Sequence, residues 1–298
     1  MTEPVLIGLD WGTTNLRAYL LGTDGAVIES RSDPRGAGAL TSSDYPAVLQ
    51  DAVGDWMAAG LPALICGMAG SRAGWREAPY QPCPASLEQV ASQLTKPVAR
   101  SGIWIVPGVA WAPGGVLLDV MRGEETQVFG VGDLGSRTTI IAPGTHSKWI
   151  VVEGGDIQTL KTYPTGELFA AIQTSPLFGA ALSSGYSKGS PFLKGAERGL
   201  VDPAVTSTLF SVRIERLAER LSDASAAEYL SGLLIGSEVA LASATFENQK
   251  DDVIVVGQSG LADLYSLVLY HAGYAKSRQV DAESATARGL WRIWKAEP

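Results

Sequence analysis

Cysteine and histidine are nearly absent from this chain, with two of each in 298 residues. Cys66 and Cys83 form neither a C-x-x-C pair nor a spaced ladder, so a disulfide framework is excluded and a reducing, cytoplasmic setting is expected. His146 and His271 are too few to complete a zinc site. Basic charge is also in short supply. Lys and Arg number 23 against 31 acids, a net charge of −8, which leaves no electrostatic footprint for nucleic acid. Long apolar runs are missing as well. The longest uncharged stretch, Leu168 to Ser187, is broken by Gln173, Thr174, Ser175 and Pro176, so no membrane span is expected. The N-terminus enters a strand-like run with no basic start and no apolar signal core, so no export signal is expected either.

What the chain does have is core. Apolar residues make up 46% and charged residues 18%, a mixture that excludes disorder, collagen and coiled coil. Its length fits two modest domains or one large one. Val5–Asp10, Leu16–Leu21 and Ala26–Ser30 read as three successive strands joined by Gly-rich turns. A dinucleotide-binding domain would place a helix after its first strand, so this opening argues against one. Helical spacing spans Tyr45 to Ala59, and Ala63–Cys66 reads as a buried strand running into a loop, Gly67–Trp75. Residues 76–86 read as a Pro-rich loop, Ile103–Val106 as a strand and Gly123–Gly130 as a short helix. Strands recur at Thr138–Ala142, Lys148–Val152 and Ile157–Thr162. Helices are expected at 166–172, 204–222 and 225–247, then a strand at Val253–Val256 and two closing helices. The hairpin-rich opening thus repeats near residue 138, which predicts two similar halves, 1–116 and 117–298.

Asp10-Trp11-Gly12-Thr13-Thr14-Asn15 sits at the tip of the first hairpin. A carboxylate at a strand end, followed by Gly and hydroxyls, can hold a metal-bound water while backbone N–H groups face phosphate oxygens. An ordinary hairpin turn would use the same residues. The second half repeats the recipe in Gly144-Thr145-His146-Ser147-Lys148, which suggests two loops gripping one phosphate chain. His146 and Lys148 would add positive charge there, although a turn histidine satisfied by its neighbours is equally natural. Val253–Val256 leads into Gly257-Gln258-Ser259-Gly260, a turn against which a base or ribose can lie, or simply a packing turn. Glu124 and Glu125 begin a helix, where acids stabilise by about 0.3–1 kcal/mol through the helix dipole; one of them is also placed to act as a base. Gly185-Tyr186-Ser187-Lys188-Gly189 matches the G-x-S-x-G string of esterases, but without the preceding strand and following helix that motif requires. No P-loop motif occurs.

In order, the two phosphate turns and the late Gly-x-x-Gly turn resemble the motifs of the acetate and sugar kinase/Hsp70/actin superfamily. Asp10–Ala18, Gly67–Ser71 with Gly74-Trp75 and Ala78-Pro79-Tyr80, Met121–Gln127, Pro143–Trp149, Thr165–Leu168 and Leu230–Glu238 are similar to the 2-dehydro-3-deoxygalactonokinase family. The resemblance covers essentially the whole chain. It implies an α/β fold of two RNase H-like lobes, each with a five-stranded mixed sheet, and an ATP cleft between them. It also implies ATP- and Mg²⁺-dependent phosphorylation of the C6 hydroxyl of 2-dehydro-3-deoxy-D-galactonate. On that resemblance Asp10 would orient magnesium through water, and Gly12, Thr13, Thr14, Asn15, Gly144, Thr145, His146, Ser147 and Lys148 would cradle phosphates. Gly257, Gln258 and Gly260 would border adenosine, and Glu124, with Glu125 beside it, would supply the base. The loops Gly67–Trp75 and Arg31–Gly38 would hold the sugar acid. Gly70, Ser71 and Trp75 lie in the first of these, and Arg72 and Arg122 offer guanidinium groups suited to a planar carboxylate. Expected partners are therefore a small sugar acid and ATP, with oligomeric state left open, a homodimer included. A kinase of another sugar acid or of a neutral sugar, and a non-catalytic ATPase of the same fold, remain as alternatives.

Overall fold

The computed structural model describes residues 2–99, 101–175, 188–246, 252–274 and 277–297. Gly185, Tyr186 and Ser187 of the esterase-like string lie outside them. The chain opens with strands β1 (Pro4–Trp11), β2 (Leu16–Gly22) and β3 (Val27–Asp33), helix α1 (Tyr45–Ala58) and strand β4 (Ala63–Gly67). Next come β5 (Tyr80–Pro82), α2 (Leu87–Ala91), β6 (Ile103–Ile105), β7 (Gly108–Trp111), β8 (Asp119–Met121) and α3 (Glu124–Val131). The second meander is β9 (Thr138–Ala142), β10 (Ser147–Glu153) and β11 (Asp156–Tyr163), followed by helices α4 (Thr165–Gln173), α5 (Ser190–Val201), α6 (Val205–Thr208), α7 (Ser211–Leu217) and α8 (Asp223–Phe246). Strand β12 (Asp252–Gly257), helix α9 (Ser259–His271), strand β13 (Ser277–Asp281) and helix α10 (Ala282–Lys295) complete the order.

Two five-stranded sheets share one plan. The first runs β3-β2-β1-β4-β6 and the second β11-β10-β9-β12-β13, so each meander is extended by two further strands beside its first strand. In the first sheet β1 is antiparallel to β2 and parallel to β4, which is parallel to β6. In the second, β12 is parallel to both β9 and β13. This is the mixed, RNase H-like arrangement expected for both halves. A small third sheet is ordered β5-β7-β8.

The chain divides into two compact units, one comprising Met1–Ser136, Val151–Leu160 and Ala282–Pro298, the other Arg137–Ile150 and Lys161–Asp281. Residues 117–136 and α10, which the sequence reading placed in the second half, thus pack within the first. The cause is a backbone-close contact between α3 and α10. A Cβ on Gly130 would stand 1.7 Å from the Ala285 carbonyl oxygen, and one on Gly289 would stand 1.8 Å from that of Thr126. Only glycine permits this approach at either position.

In the first unit, α1 repeats apolar residues at Tyr45, Val48, Leu49, Val53 and Trp56, a helical spacing that buries one face against the sheet residues Ile7, Leu9 and Trp11. The Trp11 and Tyr45 rings meet at 4.7 Å, which anchors the end of β1 just before its turn. In the second unit, α8 is long and apolar enough to cross a membrane by length and composition, but most of it is buried inside the protein. Gly195 and Gly232 let α5 and α8 touch backbone to backbone there.

Candidate active site

Asp10 stands near the end of β1, opposite Arg17 on β2 and Cys66 on β4. The turn that follows is closed by Gly12 donating its N–H to the Asn15 carbonyl at 2.9 Å. It is clamped from outside, because Ala37 and Gly38 donate to the carbonyls of Gly12 and Thr13, both at 2.9 Å. A Cβ on Gly36 would lie 2.3 Å from the Thr13 carbonyl oxygen, so the clamp needs glycine. Thr13, Thr14 and Asn15 are left exposed at the tip.

Two glycines bring the other parts of the first unit to Asp10. Gly67, at the end of β4, has φ +84°, and a Cβ there would meet the Trp11 carbonyl oxygen at 2.7 Å and the Asp10 carboxylate at 3.5 Å. Gly123 has φ +109°, and its Cβ would face the Gly67 Cα at 3.3 Å. The N-terminus of α3 therefore abuts the loop after β4, and Glu124 acts electrostatically on Asp10. Burial, then Glu124 and Glu283, push the Asp10 carboxyl up to about 6 even though Arg17 opposes them. Arg17 lies 3.7 Å from Asp10 and 3.0 Å from Glu283 on α10.

The two neighbouring glutamates differ sharply. Glu125 is fully buried and accepts the Gly123 N–H on both carboxylate oxygens, at 2.9 and 2.7 Å. Burial holds its carboxyl up to about 8. Glu124 is half-buried and accepts the Arg122 N–H at 3.1 Å. Glu124 can reach a ligand; Glu125 fixes the helix start.

Arg122 donates from Nη2 to the Ala78 carbonyl at 2.8 Å, and its guanidinium lies 4.2 Å over the Tyr80 ring. Its Nε and Nη1 are buried with no hydrogen-bond partner among the described residues. Beside it, a groove of about 970 Å³ is lined by Arg72, Gly74, Trp75, Ala78 and Tyr80. Gly70 is buried beneath, where a Cβ would stand 2.9 Å from Arg122 Nη1. Ser71 is half-buried and Arg72 exposed, while Trp75 stacks on Tyr45 at 5.7 Å. In the Arg31–Gly38 loop both guanidinium groups are already occupied, Arg31 by Asp55 and Glu29 and Arg35 by Asp33 and Asp51. The same loop clamps the first turn through Ala37 and Gly38.

In the second unit the turn after β9 leaves Thr145 and His146 exposed, with Gly144 half-buried. His146 Nε2 lies 2.7 Å from a Glu167 carboxylate oxygen. Ser147 and Lys148 are buried in β10: the Ser147 hydroxyl bonds the Tyr265 hydroxyl at 2.7 Å, and Lys148 Nζ donates to Thr162 at 2.8 Å. Both side chains expected at the phosphates are therefore engaged inside the fold. Gly257 packs on this turn, since its Cβ would meet Pro143 at 3.5 Å. Gln258 is exposed just before α9, and Gly260 lies in that helix's first turn. A cavity of about 470 Å³ opens here, walled by Gly144, Thr145, Thr165, Phe169, Leu234, Ile235, Leu261 and Tyr265. It joins the second turn to the residue after Gly260, and its lining is largely apolar with hydroxyls from Thr145, Thr165 and Tyr265.

The model of the family described as 2-keto-3-deoxy-galactonokinase matches residues 10–293. The chain belongs to this family. The 2-dehydro-3-deoxygalactonokinase of Escherichia coli (strain K12) is 38% identical over 253 residues, 85% of each chain. A Rhizobium meliloti (strain 1021) relative described by the same activity is 38% identical over 300 residues, 96% of this chain and 97% of its own. A crystal structure from Sinorhizobium meliloti, also described as a 2-dehydro-3-deoxygalactonokinase protein, superposes with a TM-score of 0.87 at 34% identity, covering 98% of both chains. The ADPNP-bound activator of 2-hydroxyisocaproyl-CoA dehydratase from Clostridium difficile, 12% identical with a TM-score of 0.51, shares the fold alone.

Sequence reasoning gave no site role to Arg17, Glu283, Tyr80 or Glu238, although Arg17, Tyr80 and Glu238 fall within the motifs that carry the family resemblance. Glu238 carried a signal, as the single acid in the apolar run from Leu230 to Ala242. The pairing of Arg17 with Glu283 carried none, because their meeting depends on α10 returning to the first sheet.

Proposed function

We propose that the protein transfers the γ-phosphoryl group of ATP to the C6 hydroxyl of 2-dehydro-3-deoxy-D-galactonate, giving the 6-phosphate. The observation that carries this reading is the gathering, within one unit, of the first glycine-hydroxyl turn, Asp10, Glu124 and a guanidinium with unpaired donors. Phosphoryl transfer needs an aligned alcohol and neutralisation of charge spreading over the phosphoryl oxygens. Glu124 accepts the proton of the attacking C6 hydroxyl, and Arg122, with Ser71 and with Arg72 and Trp75 of the groove lining, holds the sugar acid by its carboxylate. Gly12, Thr13, Thr14 and Asn15 of the first turn and Gly144, Thr145 and His146 of the second are proposed phosphate ligands. Gly257, Gln258 and Gly260 border the nucleoside. Ser147 and Lys148 contribute from beneath their turn, through its shape and charge. Glu125 supports Glu124 by anchoring the start of α3.

The residues present fit magnesium carried in with the nucleotide. Asp10 offers one carboxylate that is under-neutralised where it stands, held up to about 6 by burial and by two neighbouring acids, and magnesium commonly takes one or two carboxylates together with waters and phosphate oxygens. When bound, the ion supplies charge neutralisation on the phosphates; Asp10 would hold it through water. Two free cysteines, Cys66 buried and Cys83 half-buried, fit a cytoplasmic site of action.

The test is ADP release measured against a panel of acceptors. The reading expects turnover with 2-dehydro-3-deoxy-D-galactonate, weaker turnover with other 2-keto-3-deoxy sugar acids and none with neutral hexoses. ADP release independent of any acceptor would overturn it in favour of an ATPase, and preference for a neutral hexose would remove the sugar-acid assignment.

A further inference from the structure

Within the second unit a carboxylate on α8 lies buried and takes no part in the chemistry above. Glu238 is 2% exposed. One of its oxygens accepts the Trp149 indole N–H at 2.8 Å, and the other accepts the Tyr265 hydroxyl at 2.7 Å and the Thr165 hydroxyl. Tyr265 is bonded in turn to the Ser147 hydroxyl at 2.7 Å. These partners come from three elements besides α8: Trp149 and Ser147 from β10, Thr165 from the first position of α4, and Tyr265 from α9.

The convergence matters because of what those elements border. Thr165 and Tyr265 both line the 470 Å³ cavity, together with Gly144 and Thr145 of the second turn. Ser147 is the first residue of β10, directly after that turn. The start of α4 is pressed on the same turn, where a Cβ on Gly166 would stand 2.5 Å from the Gly144 carbonyl oxygen and Glu167 donates its N–H to Thr145 at 3.0 Å. Burying a carboxylate is costly, and replacing a buried polar cluster as a whole by apolar residues of similar volume is often neutral or stabilising. Stability alone therefore gives Glu238 little reason to be charged. A hub that orients several donors at once does, because each hydroxyl or indole N–H has its direction set by the shared acceptor.

We propose that Glu238 is a positioning residue for the nucleotide, fixing Thr165 and Tyr265 in the wall of this cavity and Ser147 at the foot of the second turn. The inference rests on the reading that the cavity takes the nucleoside of ATP. Glu238 touches no ligand itself; it acts through the three residues it holds.

Three variants test it, each assayed with nucleotide and acceptor varied separately. Glu238→Leu keeps the volume and removes the acceptor. It is expected to raise the nucleotide KM about tenfold or more, in line with what a small misplacement of binding groups costs. Its acceptor KM should stay within about twofold, while its thermal midpoint without nucleotide should fall, because the Trp149, Tyr265 and Thr165 donors lose their shared acceptor. Glu238→Gln, which retains one acceptor oxygen, is expected to give a partial rise in the same constant, and it carries the test alone if the leucine variant does not fold. An unchanged nucleotide KM in the variant that folds, or a fall in kcat and thermal midpoint with both KM values unmoved, overturns the proposal. Ile235→Trp fills the cavity and leaves the Glu238 carboxylate in place. If it leaves the nucleotide KM unmoved, the nucleoside reading itself fails and takes the inference with it. If it raises that KM while the Glu238 variants do not, Glu238 alone is rejected.

Discussion

Replacing Arg122 by methionine separates a ligand-binding role from a structural one, because the two make opposite predictions for stability. The guanidinium has one hydrogen bond, to Ala78 at 2.8 Å, and one ring contact, to Tyr80 at 4.2 Å, while Nε and Nη1 are buried without partners among the described residues. A buried donor left unsatisfied costs about 1–3 kcal/mol, so the free protein bears an unfavourable term that a bound carboxylate would relieve. Two charge-assisted hydrogen bonds to the sugar acid, at about 1.5–3 kcal/mol each, make a loss of about 2–4 kcal/mol reasonable after desolvation, or roughly 30- to 1,000-fold in kcat/KM. The loss should fall mainly on the acceptor KM, since the carboxylate is distant from the reacting hydroxyl and is bound alike in the ground and transition states. Methionine keeps most of the packing on Tyr80 and removes the unpaired donors, so the thermal midpoint should hold or rise. Initial rates at saturating nucleotide and calorimetry on the same preparations read both quantities. An unchanged acceptor KM, or a midpoint several degrees lower with kcat falling alongside it, would show that Arg122 is a brace between β8 and the Ala78 loop and not a ligand.

The remaining expectations concern the base, the metal, the α3–α10 contact and pH. Glu124→Gln should lower kcat by about 10²- to 10⁴-fold with the nucleotide KM little changed, and normal turnover would move the base elsewhere. Asp10→Asn should raise the magnesium requirement for activity, and an unchanged magnesium titration would reject that assignment. Gly289→Ala forces a methyl group against the Thr126 carbonyl oxygen; overpacking of this kind costs about 1–3 kcal/mol in denaturant unfolding, and an unshifted midpoint would mean α10 does not hold α3 as described. Glu125 stands at about 8 in the folded chain against an ordinary 4.5. The folded state therefore keeps a proton that the unfolded state releases, so this contribution is full below about pH 4.5 and is lost as pH rises toward 8, by at most about 1.4 kcal/mol per pH unit. Thermal midpoints should decline from pH 6 to 8, and Glu125→Gln should flatten the decline; an equal slope in both proteins would contradict the burial argument.

Much of this architecture is legible in the residues because turn chemistry and strand periodicity are local. Each meander is punctuated by its own Gly-rich turns, and the shared strand order of the two sheets follows the repeat seen near residue 138. Helix α5 escaped notice because Pro191, Gly195 and Gly199 read as breakers, whereas Pro sits in the helix's first turn and the glycines admit α8. Strand β13 is short, polar and at the edge of its sheet, with no alternation to mark it. In the site, the Asp10 turn and the acids of α3 could be picked out by type and position. The facing of Ser147 and Lys148 could not, because β10 is buried on both sides and its side chains carry no inside–outside pattern. The return of α10 to the first unit, which brings Glu283 to Arg17, rests on a glycine contact between residues 159 positions apart, and nothing local announces it.

Phosphoryl transfer to one particular hydroxyl of a sugar acid leaves a direct record in the product. Phosphorus–proton correlation NMR of the product formed from ATP and 2-dehydro-3-deoxy-D-galactonate measures it directly. The prediction is a phosphomonoester whose phosphorus couples to the two C6 methylene protons; a signal coupled to a ring or C4 proton, or inorganic phosphate with the sugar acid recovered unchanged, would contradict it.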